Sequence, residues 1–88
     1  MRHIMVLNSK GGSGKSTLAT NLAGYCALQG EKVALADFDP QQSSLDWLAL
    51  RPADAVPIIG IQGFRDGLRD VPRDCDAVVI DAPARIHG

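Results

Sequence analysis

The chain has 88 residues, 45% apolar and 22% charged, with nine Lys and Arg against ten Asp and Glu for a net charge of −1. That length supports one domain with a thin core and excludes two. The composition argues against disorder and against a generic basic nucleic-acid module, so any bound anion must be held by local geometry rather than by an overall field.

Ile4 to Leu7 is a short continuous apolar run that ends in a Gly-rich stretch, as a strand buried on both faces would. Ser16 to Gln29 reads as a helix. Leu18, Leu22, Tyr25 and Cys26 fall at helical spacing, with Ala19, Ala23 and Ala27 beside them. Gly30 stands where a C-terminal capping glycine belongs. Gly24, inside the helix, costs about 1 kcal/mol against Ala and suggests close packing on a sheet. Val33 to Ala36 is a second buried run, ended by Asp37.

Pro40 then breaks the chain. Ser43 or Ser44 can cap a short helix carrying Leu45, Leu48 and Leu50, stopped by Pro52. Pro57 to Ile61 is a weaker strand whose proline places it at a strand start or a sheet edge. Gly63 to Val71 reads as a short helix, and Ala77 to Ile80 as a strong strand ended by Asp81 and Pro83. The order β-α-β-α-β-α-β with short connections predicts an α/β fold: a parallel sheet with flanking helices. Ligands of such sheets sit at the carboxyl ends of strands. Three polar clusters, Asn8 to Ser16, Asp37 to Gln41 and Asp81 to Pro83, are therefore expected to converge on one edge.

Cys26 and Cys75 fit no zinc spacing and read as reduced interior thiols. The apolar run near the N-terminus is too short for a signal segment, and no run approaches a membrane span. The chain reads as cytosolic.

The central feature is Lys10-Gly11-Gly12-Ser13-Gly14-Lys15-Ser16-Thr17, between a predicted strand and a predicted helix. The general phosphate-loop pattern is G-x-x-x-x-G-K-[ST], and Ser9 occupies its first glycine position here. Glycines let consecutive backbone N–H groups turn inward around phosphate oxygens. The helix N-terminus adds its unpaired donors and positive dipole end. Lys15 supplies a point charge to the phosphates, and the Ser16 hydroxyl is a hard oxygen suited to Mg²⁺. Lys10 is unusual: a second lysine so close to Lys15 is costly unless an anion lies between them. The plain alternative is a solvated loop lysine.

A carboxylate at a buried strand end facing a phosphate loop can orient Mg²⁺, and one on a neighbouring loop can orient an attacking water. Asp81 and Asp39 are the candidates for those roles, with Asp37 supporting Ser16 or the metal. Aspartates also favour turns and caps for local hydrogen bonding alone. Trp47 reads as packing and His3 as surface. Arg85 and His87 follow the Asp81 loop, where a nucleotide-sensing switch could sit.

K-G-G-S-G-K-S with its extra lysine, D-F-D-P-Q and V-V-I-D-A-P, in this order, resemble the ParA/MinD group of deviant Walker-A ATPases. Pro40-Gln41 is more similar to the ParA branch than to MinD, and the short start resembles small ParA proteins without an N-terminal DNA-binding domain. The resemblance implies a P-loop NTPase fold with ATP and Mg²⁺ as ligands. It implies Gly11 to Thr17 as the phosphate cradle, Ser16 and Asp81 at the metal, and Asp39 at the hydrolytic water. Lys10 resembles the signature lysine that crosses a dimer interface to the partner's nucleotide. An ATP-driven homodimer, non-specific DNA and a stimulating ParB-like partner are implied too, with a nucleoid location and no membrane.

The family's domain is longer than this chain, which stops seven residues after Asp81. The expectation is the N-terminal half of such a domain, as a fragment or a truncated product. In the family's sheet the phosphate-loop strand lies between the Walker-B strand and a strand of the other half; here it should be an edge. Two other functions compete. One is a truncated nucleotide-binding or dimerising module without ATPase activity. The other is a MinD-like positioning ATPase, which would need a C-terminal amphipathic helix.

Overall fold

Residues 1–8, 15–38, 43–52 and 54–83 are described by the computed structural model. The elements are β1 (Arg2–Asn8), α1 (Lys15–Leu28), β2 (Val33–Asp37), α2 (Ser43–Ala49), β3 (Ile59–Ile61), α3 (Gly63–Asp66) and β4 (Ala77–Pro83). The alternation read from the apolar runs is the one found. All four strands are parallel, in the order β1-β4-β2-β3. This is the α/β architecture of a partial P-loop NTPase domain.

Among the described residues β1 pairs with β4 alone, so it is an edge. Alternate residues of a parallel strand bond to alternate sides. Arg2 donates toward β4, to the Asp76 carbonyl. His3, Met5 and Leu7 therefore turn their backbone groups to the open side, and Met5 is 60% exposed. β3 is the other edge, as Pro57 suggested.

Two apolar clusters fill the faces of the sheet. On one face Val6, Val33, Leu35 and Val79 meet Ala19, Ala23, Cys26 and Ala27 of α1, with Leu48 of α2 packed alongside. On the other, Ala34, Ala36, Val78 and Ile80 meet Cys75, Val71 and Phe38. The buried stripe of α1 is thus Ala19, Thr20, Ala23, Cys26 and Ala27, with Leu22 half-buried beside it. Leu18 and Tyr25 are exposed. Small side chains let the helix backbone come close to the sheet, and the bulky ones are displaced to its flanks.

Gly30 adopts φ +86° and ends α1 as expected. Its N–H bonds the Ala27 carbonyl, and the Glu31 N–H bonds that of Cys26, which together form a Schellman closure. Gly24 departs from the reading. A Cβ built there meets nothing within 4 Å, so close packing on the sheet is not its reason. Gly24→Ala is expected to raise stability by about 0.5–1 kcal/mol, because Ala loses less backbone entropy in a helix. A higher urea midpoint at unchanged slope checks it. The helix predicted to Val71 is one turn, stopped by Gly67 at φ +66°.

Charge pairs gather at the amino ends of the strands. Arg2 pairs with Glu31, and Lys32 Nζ with Asp74 Oδ2 at 2.6 Å. The Lys32 hydrogen bond holds the Asp74 carboxyl below its ordinary range. Cys26 and Cys75 are free and buried, and burial pushes the Cys75 thiol up, which keeps it protonated and unreactive. No described helix is long and apolar enough to cross a membrane.

Candidate functional site

Three strands deliver their carboxyl ends to one edge. β1 ends at Asn8, in register with Pro83 of β4. Asp37 of β2 is the register partner of Asp81 of β4. The apolar runs of these strands end at Ala36 and Ile80. The ladder runs on, so both acids lie inside it. α1 starts at Lys15 and runs back along the sheet toward β2, which places its first turn, Lys15, Ser16 and Thr17, at the same edge. Lys10, Gly11, Gly12, Ser13 and Gly14 lie outside the described residues, as do Asp39, Pro40, Gln41, Arg85 and His87.

Asp37 is 0% and Asp81 1% exposed. Two carboxylates buried on adjacent strands repel, and such an arrangement is tolerable only with donors or a cation close by. Donors are present. The backbone N–H groups of Ser44 and Leu45 reach Asp37 Oδ2 at 2.9 and 3.2 Å. The Ser44 hydroxyl donates to Asp81 Oδ2. Both acids also have interactions beyond these.

Asp37 thus receives the first N–H groups of α2, the role a capping side chain plays. Ser44, weighed from the sequence as a cap for its own helix, instead turns its hydroxyl onto a strand 37 residues away. No local pattern could have shown this. The only available signal was a small polar residue placed shortly after one strand-end acid, with a second such acid predicted on the same edge.

The arrangement suits a hard cation shared with a bound anion. Among the described residues no group of three or more His, Cys, Asp or Glu could hold a metal ion. Mg²⁺ characteristically takes one or two protein carboxylates and completes its shell with water and phosphate oxygens. Asp37 and Asp81 offer that donor set.

Residues 4–79 match the CobQ/CobB/MinD/ParA nucleotide binding domain. The chain is 38% identical over 85 residues to the chromosome-partitioning ATPase Soj of Thermus thermophilus, an alignment covering 89% of this chain and 34% of that protein. It is 40% identical over 85 residues to the maintenance of carboxysome distribution protein A of Gloeobacter kilaueensis, covering 93% of this chain and 38% of the relative. It is also 41% identical over 51 residues to the sporulation initiation inhibitor protein Soj of Bacillus subtilis, covering 58% of this chain and 20% of that protein. The chain thus spans little more than a third of the length of the two relatives that it matches over about nine-tenths of its own length. With its parallel sheet and paired strand-end acids, the chain belongs to the CobQ/CobB/MinD/ParA nucleotide-binding domain family.

Proposed function

We propose that this chain is the nucleotide-binding part of a ParA-type partition ATPase, in which Mg²⁺-dependent ATP binding drives a homodimer and hydrolysis releases it. The observation that carries this reading is the burial of Asp37 and Asp81 side by side at the edge where β1 leads into the Lys10–Thr17 segment.

In this reading Gly11, Gly12, Ser13 and Gly14 turn their N–H groups to the phosphates, and the first turn of α1 adds Lys15, Ser16 and Thr17. Ser16 and Asp81, supported by Asp37, would hold Mg²⁺, which when bound neutralises charge on the phosphates. Asp39 orients the attacking water. Lys10 reaches the nucleotide of the partner copy, so a positive charge arrives only on dimerisation and hydrolysis waits for it. Non-specific DNA and a ParB-like stimulating protein are the proposed partners, on the nucleoid in the cytoplasm. Its similarity to chromosome-partitioning ATPases supports this assignment.

Titration of the 88-residue chain with ATP and Mg²⁺, reading bound nucleotide and oligomeric mass together, tests the proposal. Saturable binding is expected, weak because the chain spans only part of its relatives, with mass doubling under ATP and Mg²⁺ but not under ADP. Hydrolysis by the chain alone should be poor. No binding at millimolar ATP would overturn the assignment.

A further inference from the structure

The Ser44 hydroxyl has no part in the roles just assigned, yet it is fully buried and sits between the two acids of the site. A serine in the first turn of a helix ordinarily faces solvent or bonds nearby backbone of its own segment. Ser44 instead donates to Asp81 on β4, while its backbone N–H donates to Asp37 on β2. One residue of α2 thereby ties two neighbouring strand ends together. The Asp37–Ser44 hydrogen bond spans seven positions and holds the start of α2 against the end of β2.

We infer that Ser44 is a positioning residue for the metal: its hydroxyl sets the plane of the Asp81 carboxylate, and its backbone fixes the start of α2 on Asp37. This rests on the nucleotide-binding reading above. Groups that orient a metal-binding carboxylate govern metal affinity nearly as strongly as the ligands themselves, with losses of about 10–100-fold on their removal. A residue that only packs α2 against the sheet would affect stability and leave metal affinity alone.

The test is a Mg²⁺ titration of fluorescent-ATP binding to the 88-residue chain, run beside binding in EDTA. In Ser44→Ala the Mg²⁺ midpoint should rise by about 10-fold or more, while EDTA binding stays within about twofold of wild type. Ser44→Cys, which keeps a small side chain with a weak donor, should fall between. In an Asp81→Asn background, Ser44→Ala should add no further shift, because the carboxylate it orients is gone. An unchanged Mg²⁺ midpoint in Ser44→Ala, or a shift of equal size with and without the Asp81 carboxylate, overturns the inference and leaves the nucleotide reading intact. Failure of the wild-type chain to bind the nucleotide in either condition overturns both.

Discussion

Lys15→Ala should reduce nucleotide affinity by a factor of roughly 10 to 150, the equivalent of a charge-assisted hydrogen bond worth about 1.5–3 kcal/mol. Lys10→Ala should behave differently. Lys10 is proposed to act on the partner's nucleotide, so its loss spares binding within one chain and removes the charge that arrives on dimerisation. A cationic side chain supplied in trans to a phosphoryl transfer is worth about 10³–10⁵ in rate. Dimer-dependent hydrolysis should therefore drop by at least about 10³-fold. Paired binding isotherms and turnover measurements separate the two lysines. Equal loss of binding in both variants would remove the trans role of Lys10.

The largest structural effect is expected at Leu35. It is fully buried on the α1 face of the sheet, in the cluster that also holds Val33, Val79 and Ala23. It is also among the bulkiest side chains with no exposure. Truncation to Ala removes its transfer energy and leaves a cavity, about 2–5 kcal/mol together. At roughly 0.05–0.15 kcal/mol per residue, a domain of this size has only about 4–13 kcal/mol in total. Leu35→Ala should thus lower the melting temperature by more than about 10 °C and, at the upper end, leave much of the chain unfolded at 25 °C. A circular-dichroism melt checks it. A loss below about 1 kcal/mol would mean that the α1 face is not tightly packed.

The alternation of strands and helices was legible because four apolar runs are separated by Gly, Pro and acidic residues, and each period is distinct. Gly30 was legible for the same local reason. The face of α1 was legible in part: Leu22 and Cys26 pack toward the sheet as the spacing implies, whereas Leu18 and Tyr25 do not. Hydrophobicity ranks Leu18 and Tyr25 above Ala19, Ala23 and Ala27, but contact distance decides burial, and alanines permit the closest approach. The last residues of β2 and β4 were cut short because an acid ends an apolar pattern, although a strand can carry an acid into its final ladder position when donors meet it there. Ser44 shows the limit most plainly. Its backbone partner Asp37 is seven positions away, whereas its hydroxyl partner lies 37 away. Lys10 and Asp39 stand out by motif alone and lie outside the described residues.

The central position of β4 has a consequence for how the chain acquires its shape. Ala77 is the register partner of both Arg2 and Val33, so within the sheet of the described residues β1 and β2 meet through a strand synthesised after them. Pairing Arg2 with Ala77 spans 75 positions (77 − 2), and contacts of such separation slow folding because a large loop must close first. On the ribosome, β2 and β3 can pair and receive α1 first, whereas among the described residues β1 gains its sheet partner only when residues 77–83 emerge.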